Sequence, residues 1–178
     1  MTLTRRSTLA EVAAAVSTAL RHAGIHAVLT GGACASLHSG GAYQSHDLDF
    51  IVDGGATRQA LDAAMAVAGF RRQYDRYVHP ATPLFVGFPR GPLAVGGDFD
   101  VRPVALRLGR GSALALSATD ACRDRLAAFF HWADRQSLAA AVAIARRRRV
   151  DLARIRRWSI REGFVDKFAE FRAALRRR

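Results

Sequence analysis

The sequence predicts an α/β core followed by an all-helical segment, and two observations support this fold class. Up to residue 116, short apolar stretches typical of strands alternate with amphipathic stretches typical of helices. From residue 117 onward, helix-forming residues continue to the end of the chain without a strand-like stretch. The 178 residues have room for one domain with a helical addition. We therefore predict a core over residues 1–116 and a helical part over residues 117–178 that packs on it.

Hydrophobic periodicity and glycine or proline breaks mark the elements of the core. The first helix has apolar residues at helical intervals and ends before Gly24, a residue type favoured after helix C-termini. In chain order we predict a helix over 8–23, a strand over 25–30, a helix over 33–38, a strand over 47–52, a helix over 57–68, a hairpin of strands over 70–78 and 82–88, and a second strand pair over 98–106 and 113–116.

Four helices are predicted in the C-terminal part, over residues 119–133, 135–147, 152–162 and 166–175. Ser117 or Thr119 followed by Asp120 is a favourable N-cap arrangement for the first helix, and Asp134 is expected to cap the second. Trp132 is expected in the core; the alternative is that it stacks on a base in a nucleotide pocket.

The composition predicts a globular chain with a strongly positive surface. Half of the residues are hydrophobic, which excludes global disorder, and the formal net charge is +12. This charge favours a polyanionic partner, RNA such as tRNA first, with the arginine runs at 146–149 and 176–178 as the first candidates for contact. Because Lys167 is the only lysine, GC-rich codon usage is an alternative source of the arginines. Charge alone leaves both explanations open.

Cysteine usage and hydropathy predict a cytoplasmic protein. Cys34 and Cys122 lack the spacing of metal ligands and are expected to be buried free thiols in a reducing compartment. No stretch is long and apolar enough to span a membrane. The Arg5-Arg6 pair is similar to the start of a twin-arginine export signal, but Glu11 interrupts the apolar region that such a signal requires.

Two aspartates and two glycines carry the functional prediction. Asp47 and Asp49 lie two residues apart on a predicted strand, so their carboxylates share one face. Two such carboxylates repel each other unless a cation lies between them, and oxygen ligands suit Mg²⁺ or Mn²⁺. Gly31-Gly32 precedes a helix, where bare backbone N–H groups suit a phosphate. A divalent metal beside a phosphate predicts nucleotide chemistry.

Taken in chain order, the glycine pair and the two aspartates resemble the motifs of the nucleotidyltransferase superfamily that includes DNA polymerase β. The resemblance rests on an apolar strand ending in Gly31-Gly32, a short helix, and a strand that carries Asp47 and Asp49. Ser45 matches a small hydroxyl residue that often precedes the first aspartate. The resemblance implies a polymerase β-like core with a mixed sheet, Mg²⁺ or Mn²⁺ on the aspartates, and ATP or another nucleoside triphosphate bound by the glycines and Ser45.

The C-terminal part adds to the resemblance. Residues 116–120 and 123–128 resemble a segment of the abortive-infection and toxin–antitoxin (minimal) nucleotidyltransferases, in which a turn opens a helix with a basic residue before Leu-Ala-Ala. Arg125 matches that basic residue and is expected to reach the nucleotide phosphates; the alternative is a salt bridge with Asp124 or Asp134. The resemblance also implies an antitoxin-like protein as a partner.

The family usually completes its metal site with a third carboxylate on an adjacent strand. Asp98 and Asp100 are the acids available on a predicted strand, and we assign Asp100 as the third catalytic residue and metal ligand beside Asp47 and Asp49. The alternative is that the strand over 82–88 lies beside Asp47 and Asp49 and presents Gly87 at this position. Two carboxylates would then remain, and catalysis would be weakened or lost.

Two functions follow from the resemblance. The first is transfer of a nucleoside monophosphate to the hydroxyl of an RNA end, a protein side chain or a small molecule such as an aminoglycoside, with pyrophosphate leaving in line. The second is a nucleotidyltransferase-like binding module that senses nucleotides or acts in a toxin–antitoxin pair. A third possibility is an unrelated α/β domain with a fortuitous motif. The sequence leaves the acceptor and the nucleotide open.

Overall fold

The structure is a computed structural model that describes residues 2–177. Its strands are β1 (His26–Thr30), β2 (Asp47–Asp53), β3 (Arg71–Gln73), β4 (Arg76–His79), β5 (Thr82–Gly87), β6 (Val104–Leu108) and β7 (Gly111–Ala115). Its helices are α1 (Leu9–His22), α2 (Gly31–Ser39), α3 (Arg58–Val67), α4 (Ala118–Trp132), α5 (Arg135–Arg147), α6 (Leu152–Arg161) and α7 (Val165–Arg176). In this described range, no helix has both the length and the apolarity of a membrane span.

The strands form one mixed sheet in the order β3-β4-β5-β2-β1-β7-β6. β2 runs antiparallel to β1 and parallel to β5, and β1 runs parallel to β7. β2 therefore has a neighbour on each side, and its residues Leu48 and Phe50 are fully buried on one face of the sheet. This mixed sheet followed by helices α4–α7 confirms the predicted fold class.

Side chains cap several helices, and the caps of α4 and α5 lie at the predicted positions. Thr8 and Glu11 form a capping box at the start of α1. Ser117 accepts a hydrogen bond from the backbone N–H of Asp120 at the start of α4, and Asp134 accepts two backbone hydrogen bonds at the start of α5. These contacts satisfy N–H groups that have no partner within the helix itself.

The predicted strand over residues 70–78 consists of two strands, β3 and β4. The chain turns between them at Tyr74, whose φ of 59° lies in the left-handed region. Strands β3, β4 and β5 consequently form a meander instead of one hairpin. Neither a glycine nor a proline marks this turn in the sequence.

The predicted strand over residues 98–106 begins only at Val104, where β6 starts. Upstream, Asp98 forms an isolated β-bridge with Val95. The Asp98 side chain accepts a hydrogen bond from Arg123 of α4. The expectation that Asp98 and Asp100 lie on a strand is therefore wrong.

One hydrophobic core joins the sheet to the C-terminal helices. It includes Leu29 and Phe50 of the sheet together with Leu126 of α4 and Trp158 of α6. Helix α2 packs against α4 and α5. Because α2 begins where β1 ends, this packing holds its N-terminal end beside the start of β2.

Candidate nucleotide-binding site

Asp47 and Asp49, hereafter the Asp pair, lie at the start of β2 on the face opposite the buried Leu48. The hydroxyl of Ser45 donates a hydrogen bond to Asp47 Oδ1 at 2.5 Å. Thr30 Oγ1 donates one to the backbone carbonyl of Asp49 at 3.3 Å. The predicted site residue Ser45 therefore orients the first carboxylate of the pair.

The glycine turn lies directly against the Asp pair. Helix α2 starts at Gly31, whose φ of 62° favours glycine. A Cβ at Gly31 would lie 3.2 Å from Asp49 Oδ2, and a Cβ at Gly32 would lie 2.6 Å from Ser45 Oγ. The side chain of Thr30 does not cap α2, so it does not compete with an anion for the first N–H groups. The structure thus brings the two predicted halves of the site together.

Within residues 2–177, neither member of the Asp pair forms a salt bridge. Burial raises the pKa of Asp49, repulsion from Asp47 raises it further, and the positive charge of Arg125 opposes both effects. A cation between the carboxylates would relieve their repulsion. Proteins hold Mg²⁺ through one or two carboxylates, with phosphate oxygens and water completing the shell. The Asp pair therefore fits a divalent metal that is shared with a triphosphate.

Arg125 reaches the site from α4. Its Nη2 bonds Asp124 Oδ2 at 2.7 Å, which is one of the two salt bridges set out as alternatives. Burial lowers the pKa of Arg125, but Asp124 and the hydroxyl of Tyr43 outweigh burial and raise it. Arg125 also acts on the pKa of Asp49. The salt bridge therefore holds the Arg125 guanidinium near the Asp pair together with the Asp124 carboxylate, whose negative charge partly offsets it.

Gly87, and not an acid, lies beside Asp49. In the parallel pairing of β2 with β5, Asp47 is opposite Phe85 and Asp49 is opposite Gly87. A Cβ at Gly87 would lie 2.6 Å from Asp49 Oδ1. Across the described residues, no three His, Cys, Asp or Glu side chains form a group that could hold a metal ion. The structure has the two-carboxylate arrangement that the sequence offered as the alternative.

Asp98 and Asp100, the expected sources of a third carboxylate, lie elsewhere. Asp98 Oδ2 accepts hydrogen bonds from Arg123 Nη2 at 2.5 Å and from Arg161 Nη2 at 3.3 Å. The largely exposed Asp100 carboxylate lies 3.5 Å from Arg102 Nε. Because Arg123 is fully buried in α4, its ion pair with Asp98 fixes the loop after β5 to the helical part. The assignment of Asp100 beside the Asp pair does not agree with this geometry.

A cleft of about 1040 Å³ opens beside Asp49. From Asp49 and Gly87 it extends past β4 and the residues after β5, and its lining includes Arg58, Arg76 and Arg90. The cleft lies beyond Gly87, on the side of Asp49 away from the glycine turn. Its volume is in the range of small-molecule sites, and it opens directly onto Asp49.

Trp132 is exposed rather than buried. Its exposed fraction is 78%, so the expectation that it belongs to the core is wrong, whereas Phe129 on the same helix is buried. The ring of Trp132 lines a pocket of about 460 Å³ on α4 together with Arg125 and His131. An exposed indole beside Arg125 keeps base stacking as an interpretation.

Sequence reasoning missed two side chains at the site. A Cβ at Gly32 would lie 3.5 Å from Tyr43 Cε1, so Tyr43 covers the glycine turn. Tyr43 lies two residues before the predicted site residue Ser45, and this proximity in the sequence could have identified it. Arg76, which is opposite Gly87 in the pairing of β4 with β5, had no such signal because strand register is set by tertiary pairing.

Neither a protein-family model nor a curated protein matches this sequence. Among solved structures, the chain is similar to an antigenic nucleotidyltransferase-like protein from Paracoccidioides brasiliensis, with 15% identity and a TM-score of 0.56 over 79% of this chain and 77% of that one. It is also similar to the antibiotic-resistance factor ANT(2'')-Ia, with 12% identity and a TM-score of 0.52 over 93% and 91%. At these identities, the likeness shows a nucleotidyltransferase-like fold.

Proposed function

We propose that this protein is a nucleotidyltransferase that binds a nucleoside triphosphate with a divalent metal and transfers the nucleoside monophosphate to an acceptor hydroxyl. The observation that carries the proposal is the position of Asp49. Its Oδ2 faces Gly31 at the start of α2, and its Oδ1 faces Gly87 at the edge of the cleft. One carboxylate thus borders both a phosphate site and the space for an acceptor. The nucleotidyltransferase-like fold supports the same function.

In this proposal the N–H groups at Gly31 and Gly32 bind the phosphates, and the Asp pair holds Mg²⁺ or Mn²⁺. Ser45 fixes the orientation of Asp47 through its hydrogen bond. When bound, the metal neutralises charge on the phosphates and orients the attacking and leaving oxygens. Arg125, held by its salt bridge, places a further positive charge beside the nucleotide.

A second candidate function is favoured by Gly87. With glycine at this position, no third carboxylate among the described side chains lies next to the Asp pair to accept the proton of an attacking hydroxyl. The same nucleotide site without turnover would make the protein a nucleotide sensor or one component of a toxin–antitoxin pair. The two candidates share the nucleotide and the metal and differ only in turnover.

Calorimetry and a pyrophosphate-release assay separate these functions. We expect ATP to bind with Mg²⁺ and not with chelator, and the Asp47→Asn, Asp49→Asn double variant to lose this dependence. Asp166→Asn, at an exposed position on α7, is the control for loss of an acid. Pyrophosphate release in the presence of acceptors supports the transferase, and metal-dependent binding without release supports the sensor. Equal ATP affinity with and without chelator would contradict both.

A further inference from the structure

Arg76 completes a row of three residues across neighbouring strands at the site. Asp49 is opposite Gly87 in the pairing of β2 with β5, and Gly87 is opposite Arg76 in the pairing of β5 with β4. Residues directly opposite each other direct their side chains to the same face of the sheet. Because strands lie about 4.8 Å apart, the backbones of β2 and β4 are separated by about 10 Å. Gly87 adds no side chain between Asp49 and Arg76, and the Asp49 carboxylate takes up part of the volume that a side chain there would fill.

The guanidinium of Arg76 is held in place by an aromatic ring. Its Cζ lies 4.7 Å from the ring centroid of Phe85, which is a cation–π contact. Phe85 lies two residues before Gly87 on β5, and therefore on the same face of the sheet. A planar guanidinium that is already oriented loses less conformational freedom when its N–H groups bind a ligand. Arg76 is therefore a preorganised hydrogen-bond donor at the edge of the cleft.

The charge of the cleft favours an anion. Arg58, Arg76 and Arg90 line it together with the acids Asp75 and Asp49, and Asp49 belongs to the candidate metal site. Among the described side chains, none of these three arginines forms an ion pair. Guanidinium groups without a carboxylate partner bind phosphate through short, charge-assisted hydrogen bonds. The same charge disfavours a polycation such as an aminoglycoside.

We propose that the cleft lined by Gly87 and Arg76 binds a phosphate group of the acceptor, with Arg76 as its principal ligand. The inference rests on the proposed transferase function, because it assigns the chemical class of the acceptor: a hydroxyl compound that carries a phosphate. Such a phosphate has two sources, the end of an RNA strand and a small phosphorylated molecule. The cleft beyond the Asp49 carboxylate leaves room for this group, and Arg76 provides its charge complement.

Equilibrium titration of the full chain tests the phosphate subsite. The protein is saturated with Mg²⁺ and a non-hydrolysable ATP analogue and titrated with ribose 5-phosphate, ribose, tobramycin or a short single-stranded RNA. Arg76→Gln is compared with Arg107→Gln, which removes the same charge from an exposed position on β6 at the other edge of the sheet. We expect Arg76→Gln to weaken binding of a phosphate probe by about 10- to 100-fold and Arg107→Gln to leave it unchanged. Ribose and tobramycin should not bind.

Binding of the ATP analogue is measured on the same proteins and should be equal in the parent and in Arg76→Gln. Binding that depends on Arg76 for RNA but not for ribose 5-phosphate assigns an RNA end, and the reverse assigns a small phosphorylated acceptor. If the analogue binds but no phosphate probe does, or if the probes bind Arg76→Gln equally well, the subsite is overturned and the nucleotide site stands. Tighter binding of tobramycin than of the phosphate probes also overturns it. If the analogue fails to bind the parent, the proposed function itself fails.

Discussion

Gly87 lies directly beside Asp49 in the pairing of β5 with β2, and a Cβ at Gly87 would be 2.6 Å from Asp49 Oδ1. The carboxylate of Asp49 therefore occupies part of the volume that a side chain at position 87 would fill. This contact explains how a two-carboxylate site is built: the glycine gives Asp49 room on the cleft side. It also gives the cleft direct access to the Asp pair.

The first prediction concerns this contact. Gly87→Ala would force the Asp49 carboxylate to rotate, since contacts under about 3 Å to a real Cβ are essentially never seen. We expect affinity for Mg²⁺–ATP to fall at least about tenfold, the equivalent of about 1.4 kcal/mol, with a smaller effect on thermal stability. Gly97→Ala is the matched control, because its Cβ would lie 3.2 Å from a carboxylate oxygen of Glu162, away from the site. Unchanged affinity in Gly87→Ala would show that Asp49 does not bind the metal from this position.

The second prediction follows from the raised pKa of Asp49. Because the folded state binds this proton more tightly than the unfolded state does, the carboxylate destabilises the ligand-free fold at a pH above both pKa values. We expect Asp49→Asn to stabilise the ligand-free protein at neutral pH by about 0.5–2 kcal/mol. This is the usual size of stabilising substitutions, which at functional sites often reduce activity. The difference should disappear in acid, where Asp49 is protonated in both states. Denaturant unfolding at several pH values measures it, and a less stable variant at neutral pH would refute the prediction.

The third prediction separates the two acids of the loop after β5. Asp98 accepts hydrogen bonds from the buried Arg123, so Asp98→Asn should destabilise the fold by about 1–3 kcal/mol. The exposed Asp100 is the matched control, and Asp100→Asn should change stability by less than about 0.5 kcal/mol. Chemical denaturation measures both values. If Asp100→Asn lost metal-dependent ATP binding while its stability was unchanged, Asp100 would be a metal ligand after all.

The pH dependence of Asp98 gives this prediction a second readout. Burial works to raise the pKa of Asp98, but the backbone N–H of Asp100 and the guanidinium of Arg123 outweigh it and lower the pKa. Ionised Asp98 therefore stabilises the fold at a pH above the pKa of an unfolded aspartate. This stabilisation is lost as the pH falls through the lowered pKa of Asp98 in the folded state. Wild type and Asp98→Asn should converge in stability in that acidic window.

The fourth prediction tests RNA as a partner. In the arginine run at 146–149, Arg146 already donates to the backbone carbonyls of Ala174 and Arg177. The side chains of Arg148 and Arg149 form no hydrogen bond or ion pair among the described residues, and the backbone N–H of Arg148 donates to Ile144 at the end of α5. Replacing only Arg148 and Arg149 by glutamine keeps the contact to α7. If both bind RNA phosphates, the slope of log affinity against log salt on a tRNA pool should flatten by about 1.4–1.8. Equal slopes would assign these arginines to a solvated face.

The sequence by itself determined the parts of this protein that depend on neighbouring residues. Two aspartates spaced by one residue share a face of any strand, and a glycine pair before a helix marks a turn with positive φ. Helix N-caps such as Ser117 and Asp134 are local for the same reason. The C-terminal helices followed from such local patterns, whereas the mixed sheet and the site that joins the glycine pair to the Asp pair were implied by the family resemblance.

Only the tertiary structure decided which residues surround the Asp pair. The sequence could not choose between Gly87 and Asp100 because strand order and register depend on contacts between residues far apart in the chain. The exposure of Trp132 was decided in the same way, since burial depends on what packs over a residue and not on its type. Arg76 lies at the site because β2 pairs with β5 and β5 pairs with β4. Neither pairing can be predicted from the residues next to Arg76 in the sequence.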